Sequence, residues 1–248
     1  GTDPLYGITE KRIYRAVSGS TGTVFRRVAT IPLATADYID VLDDAQLSKD
    51  LLESEDWDLP PANLQGMKAL PNSIMCGFFA NQLCFSEQGR PHAWPIKYRR
   101  TTDTDIVAID NIDNTIVIGT RSFVYTATGN TPGSYSMSQP GSPQACVSML
   151  SMRYVEGVGV FFASPDGYQV CAGSAGHVQN ATEGIFTKLQ WEALDPSSII
   201  AAVYDRVLHF FFTGTTPDRG YALDVRPSGF GLITLAYHAT AMHADPLT

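Results

Sequence analysis

Four times beyond residue 72 the chain runs through a short apolar stretch, a tight turn and a second apolar stretch of similar length. Residues 74–79 turn at Ala80 and Asn81 and return through 82–86. Residues 105–109 turn over Asp110, Asn111, Ile112, Asp113 and Asn114 and return through 115–119. Residues 147–155 turn at Glu156 and Gly157 and return through 160–163, and residues 199–204 turn at Asp205 and Arg206 and return through 207–213. This is the hairpin pattern. Aligning Leu83, Ile116, Val160 and Leu208 gives spacings of 33, 44 and 48 residues. A third strand follows in the later units, at 123–126, 168–171 and 221–224. Repeats near 40–50 residues, each with three or four antiparallel strands, are the sequence mark of propeller blades. The expected fold is therefore all-β, with β-propeller-like repeats of antiparallel blades over residues 72–248 and at least four hairpin units. Residues 232–237 read as a strand that opens or closes a further blade. One short helix is expected at 187–194, stopped before Pro196.

Composition supports a β-rich chain. The 248 residues are 44% hydrophobic, 10% aromatic and only 17% charged, which excludes disorder and a long coiled coil. Gly (21) and Pro (15) supply turns. Seventeen Lys and Arg against 25 Asp and Glu give a net charge of −8. That balance argues against a surface that wraps nucleic acid, whereas an acidic wall would repel DNA, as a conduit requires. No apolar run approaches the 18 residues of a membrane span, so no membrane insertion is expected of this segment. No leader peptide is visible. With Gly1 in place of a Met and an abrupt Asp245-Pro246-Leu247-Thr248 end, the chain reads as part of a longer protein. The four cysteines (Cys76, Cys84, Cys146, Cys171) lie in apolar runs without metal-ligand spacing and read as buried free thiols in a reducing compartment.

Upstream, residues 1–42 read as three strands, at 12–17, 24–29 and 37–40, the first two joined through the Gly19-Ser20-Thr21-Gly22 turn. Ile13-Tyr14-Arg15 and Tyr38-Ile39-Asp40 resemble the closing strands of a fibronectin type III-like β-sandwich. Residues 43–71 read as an acidic, proline-bearing linker with a short helix over 43–52 and a stiff Pro60-Pro61 connector.

Catalytic signatures are missing. There is no G-x-S-x-G, P-loop, GxGxxG or HExxH. Gly173-Ser174-Ala175-Gly176 has turn spacing. The histidines His92, His177, His209, His238 and His243 are scattered and offer no metal set. Asp103, Asp105, Asp110 and Asp113 flank one hairpin, and Asp166 sits in the Ser164-Pro165-Asp166-Gly167 turn. A glycosidase would need two of these carboxyl groups roughly 5–10 Å apart in a pocket; turn-forming roles are the simpler reading. The segment from Phe85 to Pro95 contains Arg90, His92 and Trp94 between two prolines. It is a candidate interface loop, since Trp and Arg anchor interfaces, or else a rigid crossover with Trp94 packed on the core. No catalytic, cofactor-binding or metal-ligating residue is assigned, and no cofactor is expected.

In combination, several runs resemble a family of tail proteins from tailed bacteriophages and prophages. They are Asp58-Leu59-Pro60-Pro61-Ala62-Asn63-Leu64-Gln65-Gly66, Leu70-Pro71-Asn72, Leu83-Cys84-Phe85-Ser86-Glu87 and Arg90-Pro91-His92-Ala93-Trp94-Pro95. Asp105-Ile106-Val107-Ala108-Ile109, Val117-Ile118-Gly119-Thr120, Gln144-Ala145-Cys146-Val147-Ser148, Ala163-Ser164-Pro165-Asp166-Gly167 and Trp191-Glu192-Ala193-Leu194-Asp195-Pro196-Ser197-Ser198 continue the series. The resemblance covers about residues 57–225 and is greatest to the nozzle, or tail tubular, protein of short-tailed phages. It implies a structural virion protein without catalysis, made in the host bacterial cytoplasm. Its subunits would form a homo-oligomeric ring, commonly a hexamer, that continues the DNA-ejection channel. The partners implied are other tail proteins (adaptor, portal side, tail fibres), with DNA as passing cargo. The alternative is a carbohydrate-active or glycan- or receptor-binding β-propeller.

Overall fold

The computed structural model describes residues 6–19, 22–139, 141, 143–172, 177–213, 219–226 and 231–242. The chain divides into two compact units, Gly1–Trp57 and Asp58–Thr248.

The first unit is built on one antiparallel hairpin, β1 (Glu10–Gly19) and β2 (Gly22–Pro32), with a bulge at Ile13/Tyr14. Ser20 and Thr21 of its expected turn lie outside the described residues. The strand expected at 37–40 does not form. Asp40 instead accepts Arg15 Nη1 at 2.7 Å and the Leu42 N–H at 3.1 Å, which makes the segment a side-chain-stapled loop. The expected helix over 43–52 shrinks to one 3-10 turn, Asp44–Gln46. The reason is competition for backbone groups. Ser48 N–H bonds Arg27 O and Leu52 N–H bonds Phe25 O, while Arg27 N–H bonds Asp50 O, so these groups serve the free edge of β2. Leu47 is the one buried hydrophobic side chain among this unit's described residues.

The second unit is a succession of four antiparallel sheets, each of four strands taken in chain order. The first sheet holds β3 (Gln65–Ala69), β4 (Met75–Phe79), β5 (Gln82–Phe85) and β6 (Arg100–Thr101). The second holds β7 (Ile106–Ile112), β8 (Thr115–Thr120), β9 (Val124–Thr128) and β10 (Ser136–Ser138). The third holds β11 (Arg153–Val155), β12 (Gly159–Ser164), β13 (Gly167–Ala172) and β14 (His177–Asn180). The fourth holds β15 (Ile199–Tyr204), β16 (Val207–Phe212), β17 (Arg219–Asp224) and β18 (Gly231–Leu235). The final strand foreseen at 232–237 is β18, which completes the fourth sheet. The expected helix is α1 (Lys188–Glu192), capped by Thr187, whose Oγ1 accepts the Gln190 N–H at 3.3 Å.

The repeat is more regular than the sequence spacing implied. Leu83 lies on the third strand of its sheet, whereas Ile116, Val160 and Leu208 lie on second strands. The position equivalent to those three is Cys76, the second residue of β4, and the spacings become 40, 44 and 48 residues. The slip arose because the first strand, Gln65-Gly66-Met67-Lys68-Ala69, has no apolar run and lies within the stretch read as linker.

Three apolar layers join the four sheets. Phe78, Leu83 and Phe85 pack with Ile109, Ile116 and Ile118 between the first and second sheets. Val117 and Val124 meet Val160, Phe162 and Cys171 between the second and third. Phe161 and Tyr168 meet Phe210, Phe212 and Tyr221 between the third and fourth, with Trp191 of α1 in the same layer. Trp191 Nε1 donates to Ser164 O at 2.8 Å, so its one polar atom is satisfied in the core. Every residue of β8 and of β12 is buried, because these strands are covered on both faces. Fully burying one such side chain stabilises the fold by about 1.5–3 kcal/mol. The first strands of successive sheets approach one another: β3 with β7, β7 with β11, and β11 with β15.

Candidate functional site

A buried polar arrangement lies where three of those first strands meet. Asp110, on β7, is 6% exposed. Its Oδ1 takes Lys68 Nζ of β3 at 2.9 Å and its own neighbour's N–H, from Asn111, at 3.0 Å. Its Oδ2 accepts the backbone N–H of Tyr154, on β11, at 2.9 Å. One carboxylate thus ties the first, second and third sheets. Both oxygens are engaged and the charge is matched by Lys68, which suits a structural clasp better than a base or a nucleophile. Beside it lies a cavity of about 90 Å³, lined by Gly66, Lys68, Ile109, Met152 and Arg153 among others. Small-molecule pockets run to roughly 300–1,000 Å³, so this one has room for a few waters and not for a sugar ring. Sequence reasoning missed the clasp, since Lys68 stood as a lone cation in the presumed linker.

The other carboxylates are dispersed over separate partners. Asp103 accepts the Tyr125 hydroxyl at 2.8 Å; burial first, and that carboxylate second, hold the phenol above its ordinary range. Asp105 lies 3.8 Å from Arg121. Asp113 adopts φ 50° in the β7–β8 turn, as the turn-former reading expects, but the expected turn over 110–114 shrinks to Asp113 and Asn114, because Asp110 and Asn111 are ladder residues of β7 paired with Val117 and Ile116. Asp166 pairs with Lys188 at 3.0 Å, and that contact, with help from Gln144, holds its carboxyl below the usual range. Asp105 and Asp110 stand five residues apart along extended chain. At ~3.3 Å per residue this is about 16 Å, beyond the separation a carboxylate pair needs.

The candidate interface loop is knitted to itself and to the core. Glu87 N–H bonds Ala93 O at 2.8 Å, Ala93 N–H bonds Arg90 O at 3.1 Å, and the Tyr98 hydroxyl donates to Glu87 Oε2 at 2.9 Å. Trp94 is 3% exposed. Its Nε1 donates to Pro91 O at 2.8 Å and its backbone N–H to Asp58 O at 2.8 Å. The indole is therefore a core group of a rigid crossover and cannot serve as an exposed anchor. Arg90 is half-buried, and His92 is exposed on the same loop. Arg100 donates to Tyr135 O and Gly133 O, both at 2.8 Å, and so links the first sheet to the second.

Among the described residues no group of three His, Cys, Asp or Glu side chains could hold a metal ion. His243 and the Gly173-Ser174-Ala175-Gly176 turn lie outside the described residues. All four cysteines are free and buried. Burial pushes the Cys76 and Cys146 thiols up to about 12, and Cys84 and Cys171 to about 11. A thiol so protonated is a poor nucleophile. No helix among the described residues is long and apolar enough to cross a membrane. Neither a scan against protein-family models nor a search of curated proteins finds a match for the chain.

Proposed function

We propose that this chain is a structural part of a phage tail, a β-propeller-bearing subunit of a nozzle or tail-tube ring that continues the DNA-ejection channel and docks other tail proteins. The observation that carries the propeller half of the reading is the succession of four meander sheets whose first strands lie side by side. Blades arranged about an axis place their first strands in that way. The tail assignment rests on the resemblance of residues 57–225 to tail proteins, and the hairpin of the first unit is compatible with the end of a fibronectin-like sandwich. The use of Asp103, Asp105, Asp110 and Asp166 in separate structural pairs favours a mechanical role over glycoside chemistry. The net charge of −8 suits a channel that lets DNA slide without holding it.

Negative-stain imaging of the native full-length assembly tests this reading. Rings with a central channel, six subunits around, are the expected image. A full-length protein that is monomeric at all concentrations would overturn the nozzle assignment.

A further inference from the structure

Six described non-glycine residues hold a left-handed backbone: Ser73, Ala80, Asp113, Asp195, Asp205 and Arg206. Of these, Asp195 alone is followed by proline. A following proline ring pushes a residue toward extended conformations. Asp195 nevertheless sits at φ 53° and ψ 76°, between α1 and the 3-10 turn Pro196–Ser198 that leads into β15. The chain on both sides keeps it there. Its N–H bonds Glu192 O at 3.1 Å, and Leu194 before it and Ile199 after it are both buried in the layer that joins the third and fourth sheets. Strain over-determined by its surroundings is a reason to look for chemistry at the bond concerned.

Three groups meet at the Asp195–Pro196 peptide bond. The Asp195 carbonyl oxygen accepts two hydrogen bonds, from Ser198 N–H at 3.0 Å and from Ser198 Oγ at 2.8 Å. Two donors on one carbonyl oxygen polarise its carbon and favour negative charge that develops there. The Asp195 carboxyl is a nucleophile on the same residue. Ser197 Oγ donates to its Oδ1 at 2.5 Å. Pro196 supplies the leaving group, a tertiary amide nitrogen without an N–H. Asp195 and Ser197 are exposed, so water reaches the bond.

We propose that the chain cuts itself between Asp195 and Pro196. The Asp195 carboxyl, in its protonated form, attacks its own main-chain carbonyl carbon. A C–O bond forms, the C–N bond to Pro196 breaks, and the carboxyl proton passes to the proline nitrogen. The product is a five-membered cyclic anhydride. One water opens it, which leaves Asp195 with two carboxyl groups and Pro196 as a free N-terminus. Water is the one co-reactant. Attack within one residue avoids the entropy of bringing reactants together, and departure of the proline releases Asp195 from its constraint. The cut falls in the connector between the third and fourth sheets and leaves the fourth sheet whole in residues 196–248. That piece stays in place through Phe210, Phe212 and Tyr221 of the shared layer and through the Ser148 hydroxyl on Ile199 O at 2.6 Å. This is one event per chain, and it does not depend on the tail reading.

The test incubates the purified 248-residue chain at pH ~5.5 and ~37 °C and follows intact mass. Asp3-Pro4 and Asp245-Pro246 are two further Asp-Pro bonds in the same chain and serve as internal references. Fragments 1–195 and 196–248 should appear at a rate independent of protein concentration and about tenfold or more above either reference bond. In concentrated urea the rate should fall to that of the references. Asp195→Asn should bring the cut down to the reference rate. Ser198→Ala, with an unchanged far-UV spectrum, should slow it about tenfold. A chain that stays intact overturns the proposal, as does equal cutting at all three Asp-Pro bonds or cutting that is no slower in urea. A folded Ser198→Ala variant cut at the parent's rate also overturns it, because the hydroxyl would then merely close a turn. None of these outcomes touches the nozzle reading, which stands or falls on the imaging of the full-length assembly.

Discussion

The Asp110 carboxylate accepts the Tyr154 backbone N–H at 2.9 Å, so a side chain of the second sheet completes the hydrogen bonding of the third sheet's first strand. Asp110→Ala leaves that N–H without its acceptor and Lys68 without its partner. We expect a loss of about 2–3 kcal/mol in denaturant unfolding. Asp110→Asn, which keeps an acceptor for Tyr154, should lose less. Equal losses for the two would show that the Tyr154 hydrogen bond carries no weight.

Trp94 and His92 share a loop and differ in burial. Trp94→Ala empties a core position and should cost about 3 kcal/mol or more. His92→Ala should lie within ~0.5 kcal/mol of the parent. Thermal unfolding of both variants checks the pair, and a neutral Trp94→Ala would return the indole to the surface as a contact residue.

Gly119 sits against the layer between the second and third sheets. A Cβ built there would stand 2.5 Å from Cys146 Cβ and 2.8 Å from Met152 Cε. Gly119→Ala should therefore overpack the seam and cost about 1–3 kcal/mol. Gly157, at a turn with nothing within 4 Å of a Cβ, offers a contrast. There Gly157→Ala is opposed only by its φ of +74°.

The buried thiols predict an alkaline weakness. Burial in the fold raises their pKa values from the ordinary 9.0 to about 11–12, and it also raises the Tyr168 phenol. Groups raised in the folded state favour folding below pH ~9 and withdraw that support as pH climbs toward their folded values. Urea midpoints should fall between pH 8 and pH 10.5. At pH 8 a thiol reagent should leave all four cysteines untouched in the native chain and titrate four after denaturation.

Hairpins with continuous apolar strands were legible in the sequence, as at Thr115-Ile116-Val117-Ile118-Gly119-Thr120 and Gly159-Val160-Phe161-Phe162-Ala163-Ser164, because burial on both faces writes itself as an unbroken run. β3 was not, since its residues alternate between a cavity wall and open solvent and include Gly66 at φ 59°. Helix propensity over 43–52 misled for a different reason: a neighbouring strand's free edge took the backbone groups the helix needed. The Lys68–Asp110–Tyr154 clasp could not be read at all. It joins residues 42 and 44 positions apart, and its third member contributes only a main-chain N–H. Trp94 could be found as distinctive, but whether an indole faces inward depends on the Pro91 carbonyl that receives it.

Every ladder in the described residues joins strands that are neighbours in the chain. Among the described residues no sheet takes a strand from elsewhere in the chain. A chain leaving the ribosome can finish one meander about every 40–48 residues and lay it on the one before. Contacts between sheets, such as the hydroxyl of Ser148 on the Ile199 carbonyl at 2.6 Å, then lock each new layer after it has formed. The molecule is thus suited to being built in one direction, each completed sheet serving as the template for the next.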